Sequence, residues 1–226
     1  MSKKIIVAAL LAAFTIPSFA QLLKGSVKGF TLDDDGVQIS YSPTGGMVDN
    51  QYTTAAVDAN GNYTYDVPLS DRNSDVSIIV ANQVFGVHLT KGQTVTVTLS
   101  KGNGNMLNFA VSGPSKDVSL AVNAEMQAYD MMKYFSMDES MAKSNAEYRQ
   151  ILEDSYKSVL PYLKGIKDKQ LRKFYTELNE AQYKWTKIRL IMDKCEENGT
   201  RYQDDAEYKQ LILEVDLKSD ISYRSH

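Results

Sequence analysis

The chain has 226 residues, and its 25 lysines and arginines against 28 aspartates and glutamates give a formal net charge of −3. This mildly acidic balance argues against nucleic acid as a partner. A single cysteine excludes an internal disulfide, and it also excludes a dithiol–disulfide cycle within the chain, because that chemistry needs two thiols. The fold must therefore be held together by its hydrophobic core.

The first twenty residues have the pattern of a secretory signal peptide. Lys3 and Lys4 give a positive start, residues 5–16 form an apolar run, and Ser18 and Ala20 are small residues at the usual cleavage positions. This run is too short for a stable membrane span, and no later stretch is apolar enough for one. We expect cleavage near Ala20 and a location in the periplasm, elsewhere in the cell envelope or outside the cell.

The composition changes near residue 113. Residues 21–112 contain no glutamate, whereas ten glutamates follow from residue 113 onward. Threonine, valine, aspartate and glycine favour strands and turns, while glutamate favours helices. We therefore predict an α+β protein in which an antiparallel β-sandwich domain at 21–113 precedes an antiparallel helical bundle at 114–226.

Alternating apolar residues predict seven or eight short strands in the first region. Residues 94–99 alternate strictly, with two valines and a leucine on the core side. Residues 85–89 alternate in the same way, which predicts that His88 faces solvent.

Asn60 and Gly61 predict a hairpin between strands at 52–58 and 62–67. A two-residue loop would mix polar and apolar faces, whereas a three-residue loop puts the larger apolar groups on one face and makes Gly61 left-handed. We prefer the three-residue loop. Its register pairs Val57 with Tyr63, Ala55 with Tyr65, and Thr53 with Val67.

Four helices are predicted in the second region. The first begins after Ser115 and carries an apolar stripe of Leu120, Ala124, Ala128, Met131 and Phe135. The second begins with a capping box at Ser144 and Glu147, ends at Gly165, and buries Tyr148, Leu152, Tyr156, Val159 and Leu163. The last is predicted near Ala206–Leu217.

The third helix, predicted over 168–197, carries the longest regular pattern. Its apolar residues recur at alternating spacings of three and four, and they are Leu171, Phe174, Leu178, Ala181, Trp185, Ile188, Met192 and Cys195. We call this set the α3 seam. A seam along a helix of about 45 Å indicates packing against other helices.

Few residues could carry chemistry. Cys195 lies at the C-terminal end of a helix, where the dipole disfavours a thiolate, so we interpret it as a buried packing residue; the alternative is an exposed or dimer-linking thiol. His88 and His226 lie too far apart in sequence to suggest a metal site or an acid–base pair. We therefore predict no catalytic residue, no cofactor and no metal ligand, and we expect the chain not to be an enzyme.

Two further clusters have simple structural interpretations. Methionine thioethers can bind copper(I), but the irregular spacing of Met126, Met131, Met132, Met137 and Met141 favours core filling or a pliable docking surface. The acidic turn at 33–36 lacks the spacing of a calcium loop. The chain's 14 tyrosines either pack half-buried or line a groove for a ligand, and the sequence leaves both alternatives open.

Four stretches carry a resemblance to a known family. They are LKGSVKGF (23–30), TTAAVDANGNYTYDVP (53–68), VFGVHLTKGQTVTVTLSKG (84–102) and NFAVSGPSKD (108–117). Together they resemble a β-rich domain of unknown function at the front of secreted bacterial thioredoxin-like proteins. In that family a helical region follows, and then a redox domain with a Cys-x-x-Cys pair.

This chain has no Cys-x-x-Cys pair, so the family's redox chemistry is not expected here. The resemblance implies either a shortened relative or a free-standing accessory protein that binds or positions a protein partner in the cell envelope, such as a thioredoxin-like domain. We expect the α3 seam and the methionine-rich surface to be its docking elements. The alternative is a lipid- or glycan-binding module with a tyrosine-lined groove between sandwich and helices. A weaker hypothesis is self-association through the α3 seam.

Overall fold

The computed structural model describes residues 21–29, 36–42, 50–69, 73–104, 106–130 and 143–215. The predicted signal peptide, the acidic residues 33–35 and His226 lie outside these ranges. Of the predicted methionine cluster, only Met126 lies within them.

The described part of the chain is an α+β protein with eight strands and four helices. The strands are β1 (Gln21–Lys28), β2 (Gly36–Tyr41), β3 (Gln51–Ala56), β4 (Asn62–Val67), β5 (Asn73–Val80), β6 (Gln83–Thr90), β7 (Thr94–Lys101) and β8 (Leu107–Ser112). The helices are α1 (Lys116–Ala128), α2 (Asn145–Gly165), α3 (Lys169–Glu197) and α4 (Ala206–Leu213), and a short 3₁₀ turn, Tyr202–Asp204, precedes α4.

The strands form two four-stranded sheets, in the orders β4-β1-β7-β8 and β3-β2-β5-β6. All neighbouring pairs are antiparallel except β1 and β7, which run parallel. The prediction of a purely antiparallel arrangement is wrong at this pair, because alternation does not encode strand direction. One apolar core draws on both sheets, and its fully buried members include Leu23, Val95 and Leu99 of the first and Ile39, Ile78 and Leu89 of the second.

The predicted hairpin at Asn60 and Gly61 exists only at its tip. Val57 and Tyr63 form an isolated antiparallel bridge, and Gly61 has the predicted positive φ, at +78°. Beyond the bridge the strands separate, because β3 pairs with β2 and β4 pairs with β1. The predicted pairs Ala55 with Tyr65 and Thr53 with Val67 are therefore wrong, and the turn carries the chain from one sheet to the other.

Helix α1 lies on β6 and buries a different face from the predicted stripe. Its buried residues are Val118, Ser119, Ala121, Val122 and Ala128. Of the stripe, only Ala128 is buried; Leu120 and Ala124 are half-buried, and Met131 and Phe135 lie outside the described residues. Ser115 is the N-cap residue, but its side chain makes no capping hydrogen bond.

The starts of α2 and α3 are fixed by side-chain caps. At α2 the Glu147 amide donates to Ser144 Oγ at 3.3 Å, and the Ser144 amide donates to Glu147 Oε2 at 2.7 Å, so the predicted capping box is confirmed. At α3 the Asp168 carboxylate accepts from two backbone amides of the first turn. The predicted end of α2 at Gly165 is also confirmed.

The α3 seam packs against other helices, as its pattern predicts, but of its eight residues only Leu178, Ile188 and Cys195 are buried and the others are half-buried. Its first half packs with α1 and α2, through Leu171, Phe174 and Leu178. Its second half packs with α4 and the preceding turn, through Trp185, Ile188, Met192 and Cys195. None of the helices within the described ranges is both long and apolar enough to cross a membrane.

Candidate functional site

A hydrogen-bonded group of polar side chains joins α3 to the second sheet. Asp75 on β5 and His88 on β6 stand opposite each other in register. The hydroxyl of Tyr175 on α3 lies 2.7 Å and 2.9 Å from the two carboxylate oxygens of Asp75 and 2.8 Å from Nδ1 of His88. Nδ1 of His88 lies 2.8 Å from Oδ1 of Asp75. We call these three residues the Asp75–His88–Tyr175 cluster.

The prediction that His88 faces solvent is wrong, because its side chain is buried, with a residue exposure of 1%. Alternation places it on the outer face of β6, which is covered there by α1, running along the open edge of β6, and by Tyr175 of α3. The His88 amide donates to Ser119 Oγ at 3.1 Å, and the Ser119 hydroxyl donates to the His88 carbonyl at 3.3 Å. Gly86, two residues earlier on the same face, lets the helix approach closely, because an added Cβ would lie 2.8 Å from Val122 Cγ1. A glycine on the outer face of β6 was the sequence signal that could have indicated this close packing of a helix.

The cluster resembles an acid–base pair in geometry; its Asp75 side chain is 35% exposed, but its His88 side chain is closed off from solvent, with 2% exposed. In the tautomer with a proton on Nδ1, His88 and Tyr175 can both donate to the Asp75 carboxylate. Nε2 of His88 is then left buried, with no hydrogen-bond partner among the described residues. A general base must reach the proton that it abstracts, and this atom reaches no solvent. The cluster therefore holds α3 against the sheet.

Glu125 on α1 is a perturbed titratable group beside this cluster. Burial raises the pKa of Glu125 to about 8, and the negative charge of Asp75 acts in the same direction. Glu125 therefore keeps its proton to a higher pH than an ordinary glutamate does. Sequence reasoning gave this residue no role, because nothing near it in sequence reveals the charge on β5.

Cys195 is buried, as predicted, with a residue exposure of 7%. It packs in the apolar cluster between α3 and α4 with Ile188, Ile191 and Leu211. Within the described ranges, no three histidine, cysteine, aspartate or glutamate side chains are grouped to hold a metal ion.

A groove with a volume of about 450 Å³ lies between the start of α1 and the end of α2. Its walls include Pro114, Leu120, Pro161 and Tyr162, with Lys116 and Lys167 beside them. We call it the α1–α2 groove. Other tyrosines form ring contacts inside the protein, in the pairs Tyr41–Tyr65, Tyr156–Tyr183 and Tyr202–Tyr208. Tyr162 is the tyrosine that lines this groove, and 45% of it is exposed.

Comparison of the chain with protein-family models, with curated proteins and with solved structures gave no match. The resemblance to the β-rich domain of secreted thioredoxin-like proteins therefore stays a prediction from the sequence motifs.

Proposed function

We propose that this protein is a non-catalytic, exported accessory module that binds or positions a protein partner in the cell envelope, such as a thioredoxin-like domain. The observation that carries this proposal is the burial of Cys195, the only thiol of the chain. A thiolate nucleophile must be reachable and electrostatically stabilised, and a thiol in an apolar cluster is neither. The buried Nε2 of His88 supports the same conclusion for acid–base chemistry.

The proposed architecture is a sandwich of two sheets followed by an antiparallel helical bundle, with a boundary at residue 113. The core shared by the two sheets supports the sandwich, and the apolar cluster shared by α1, α2 and α3 supports the bundle. The Asp75–His88–Tyr175 cluster connects the two parts. Such a connection would allow strands and helices to present one rigid surface to a partner.

The docking surface is proposed to lie away from the α3 seam, because the seam packs against the protein's own helices. This packing also weighs against self-association through the seam. The methionine-rich segment from residue 126 to 141 remains the proposed docking element, since flexible thioethers adapt to different partners. Export is proposed from the signal-like pattern that ends at Ala20.

A direct binding measurement tests this proposal. The purified protein is immobilised, and a thioredoxin-like domain from the same cell envelope is passed over it in a biosensor. We expect saturable binding that Cys195→Ser leaves unchanged, because the buried thiol is not a contact residue. A complex that forms only with Cys195 intact, and that reductant dissolves, would instead indicate a mixed disulfide and contradict the non-catalytic role.

The α1–α2 groove favours a second function, that of a ligand-binding module for a lipid or glycan. Native mass spectrometry of the freshly purified protein tests this alternative. A retained ligand mass would support it, whereas apoprotein alone would favour the accessory role.

A further inference from the structure

We propose that the α1–α2 groove binds a small amphipathic carboxylate, with an acyl chain on its apolar wall and the carboxylate between Lys116 and Lys167. This assignment rests on the ligand-binding alternative above and gives it a site and a ligand class. It does not depend on the accessory role.

The groove is large enough for the apolar body of such a ligand. Pro114, Leu120, Pro161 and Tyr162 line it, and the volume of about 450 Å³ falls within the range of small-molecule sites. The two prolines present rigid rings without a backbone N–H donor. Tyr162 leaves 45% of its surface exposed, so part of a large aromatic side chain is available to cover an apolar chain.

The charged residues of the groove lining are Lys116, Lys167 and Asp117, so the two lysines leave a net positive charge that favours an anion. Lys116 and Lys167 both line the groove and both are exposed. Neither forms an ion pair with a described residue, in contrast to Lys184 and Lys187, which pair with Glu214 and Glu207. Two unpaired ammonium groups beside an apolar wall attract a negatively charged headgroup.

Asp117 is an acid in the groove lining, and each of its carboxylate oxygens accepts one hydrogen bond from a backbone amide, while the carboxylate keeps its negative charge. Oδ1 accepts from the Val118 amide at 3.0 Å, and Oδ2 accepts from the Lys167 amide at 2.9 Å. The second bond ties the start of α1 to the segment after α2. It therefore fixes the two walls relative to each other, which lowers the entropic cost of binding.

The same polar groups disfavour a glycan. A sugar offers many hydroxyls that need both donors and acceptors, whereas the two lysine ammoniums of this groove only donate, and the side-chain acceptors beside them are the Tyr162 hydroxyl and the Asp117 carboxylate. An acyl chain with a single charged acceptor group matches one apolar wall and two donors. A carboxylate at the end of a medium-length chain is the simplest such ligand.

Calorimetric titration with sodium decanoate and with decyltrimethylammonium, both below their micelle concentrations, tests the assignment. We expect saturable binding of decanoate and much weaker binding of the cation. The double variant Lys116→Glu/Lys167→Glu should bind decanoate at least about tenfold more weakly and should now prefer the cation, because both contacts change sign.

The matched control is Lys28→Glu/Lys101→Glu, which changes the net charge equally at two exposed lysines on β1 and β7. It should bind decanoate like the wild type. Tyr162→Ala should weaken binding, and Tyr162→Phe should keep it. If the double variant fails to fold by circular dichroism, the single variants Lys116→Ala and Lys167→Ala replace it, each with an expected loss of about threefold.

Three results would overturn the assignment. They are no saturable binding of decanoate by the wild type, equal binding of the anion and the cation, and an unchanged affinity in the groove variants. Each result would exclude an amphipathic carboxylate as the ligand of this groove. It would leave the accessory role intact, since that role is tested separately by partner binding.

Discussion

The hydroxyl of Tyr175 on α3 lies 2.7 Å from Oδ1 of Asp75 on β5, a residue 100 positions earlier in the chain. His88 completes the contact from the neighbouring strand and is buried under α1. This cluster is therefore where strands and helices meet through charge and hydrogen bonding, in addition to apolar packing. Removing these contacts is therefore expected to lower the stability of the whole fold.

Tyr175→Phe is expected to lower the free energy of unfolding by about 1–3 kcal/mol, because it removes the hydroxyl that serves both Asp75 and His88. The ring keeps its edge contact with His88, at a centroid distance of 5.8 Å, so the loss reports the hydroxyl. Urea denaturation measures it. Tyr162→Phe, which removes a hydroxyl from an exposed tyrosine on α2, is the control. Equal stability of the two variants would show that the Tyr175 hydroxyl contributes nothing to stability.

Glu125→Gln is expected to change how stability depends on pH. The pKa of Glu125 is raised from its ordinary 4.5 to about 8, so the folded protein holds this proton more tightly than the unfolded chain. The resulting stabilisation is complete below about pH 4.5 and is lost as the pH rises through about 8. Relative to the wild type, Glu125→Gln should therefore gain stability as the pH is raised across this window.

Urea denaturation at a series of pH values between about 5 and 8.5 measures this difference. Glu196→Gln, which makes the same substitution at an exposed position near the end of α3, is the control. Parallel curves for Glu125→Gln would mean that Glu125 titrates normally in the folded protein.

Gly61→Ala and Gly92→Ala form a matched pair, since both glycines have a φ of +78°. An added Cβ at Gly61 would clash with the Val27 carbonyl oxygen, whereas nothing lies within 4 Å of one at Gly92. Gly92→Ala should cost about 1–2 kcal/mol for the left-handed backbone alone. Gly61→Ala should cost about 1–3 kcal/mol more, because it forces β1 away from the turn. Thermal denaturation of both variants checks this order of stability losses. The larger loss is expected at Gly61, because the turn there carries the chain from one sheet to the other.

Cys195 should react slowly with a soluble alkylating reagent in the folded protein and completely in urea. The reason is its position in the apolar cluster between α3 and α4. Mass spectrometry of samples quenched over time follows the reaction. Labelling of the folded protein as fast as that of a solvent-exposed thiol would place Cys195 at the surface.

Signals that lie close together in the chain were sufficient for much of the helical region. The capping box at Ser144 and the regular spacing of the α3 seam predicted where α2 begins and that α3 is one long helix. Alternation likewise identified the core side of β6 and β7. These patterns depend on residues that are close neighbours in the chain, so the sequence alone displays them.

Long-range partners could not be predicted in this way. Alternation shows which residues share a face, but it does not show what covers that face, so His88 was assigned to solvent although α1 lies over it. The wrong prediction that β3 pairs with β4 has the same cause. The local sequence fits a hairpin register, but it does not show that β3 pairs with β2 and β4 with β1. The Asp75–His88–Tyr175 cluster joins positions 13 and 100 residues apart, which no local pattern encodes.

Turnover in thiol–disulfide exchange tests the non-catalytic role most directly. The purified protein is assayed for insulin reduction with dithiothreitol and for peroxide consumption, beside Cys195→Ser and a thioredoxin as positive control. We predict that the wild type and Cys195→Ser both match the blank in each assay. Turnover by the wild type that Cys195→Ser abolishes would show that the single thiol is catalytic and would contradict the account.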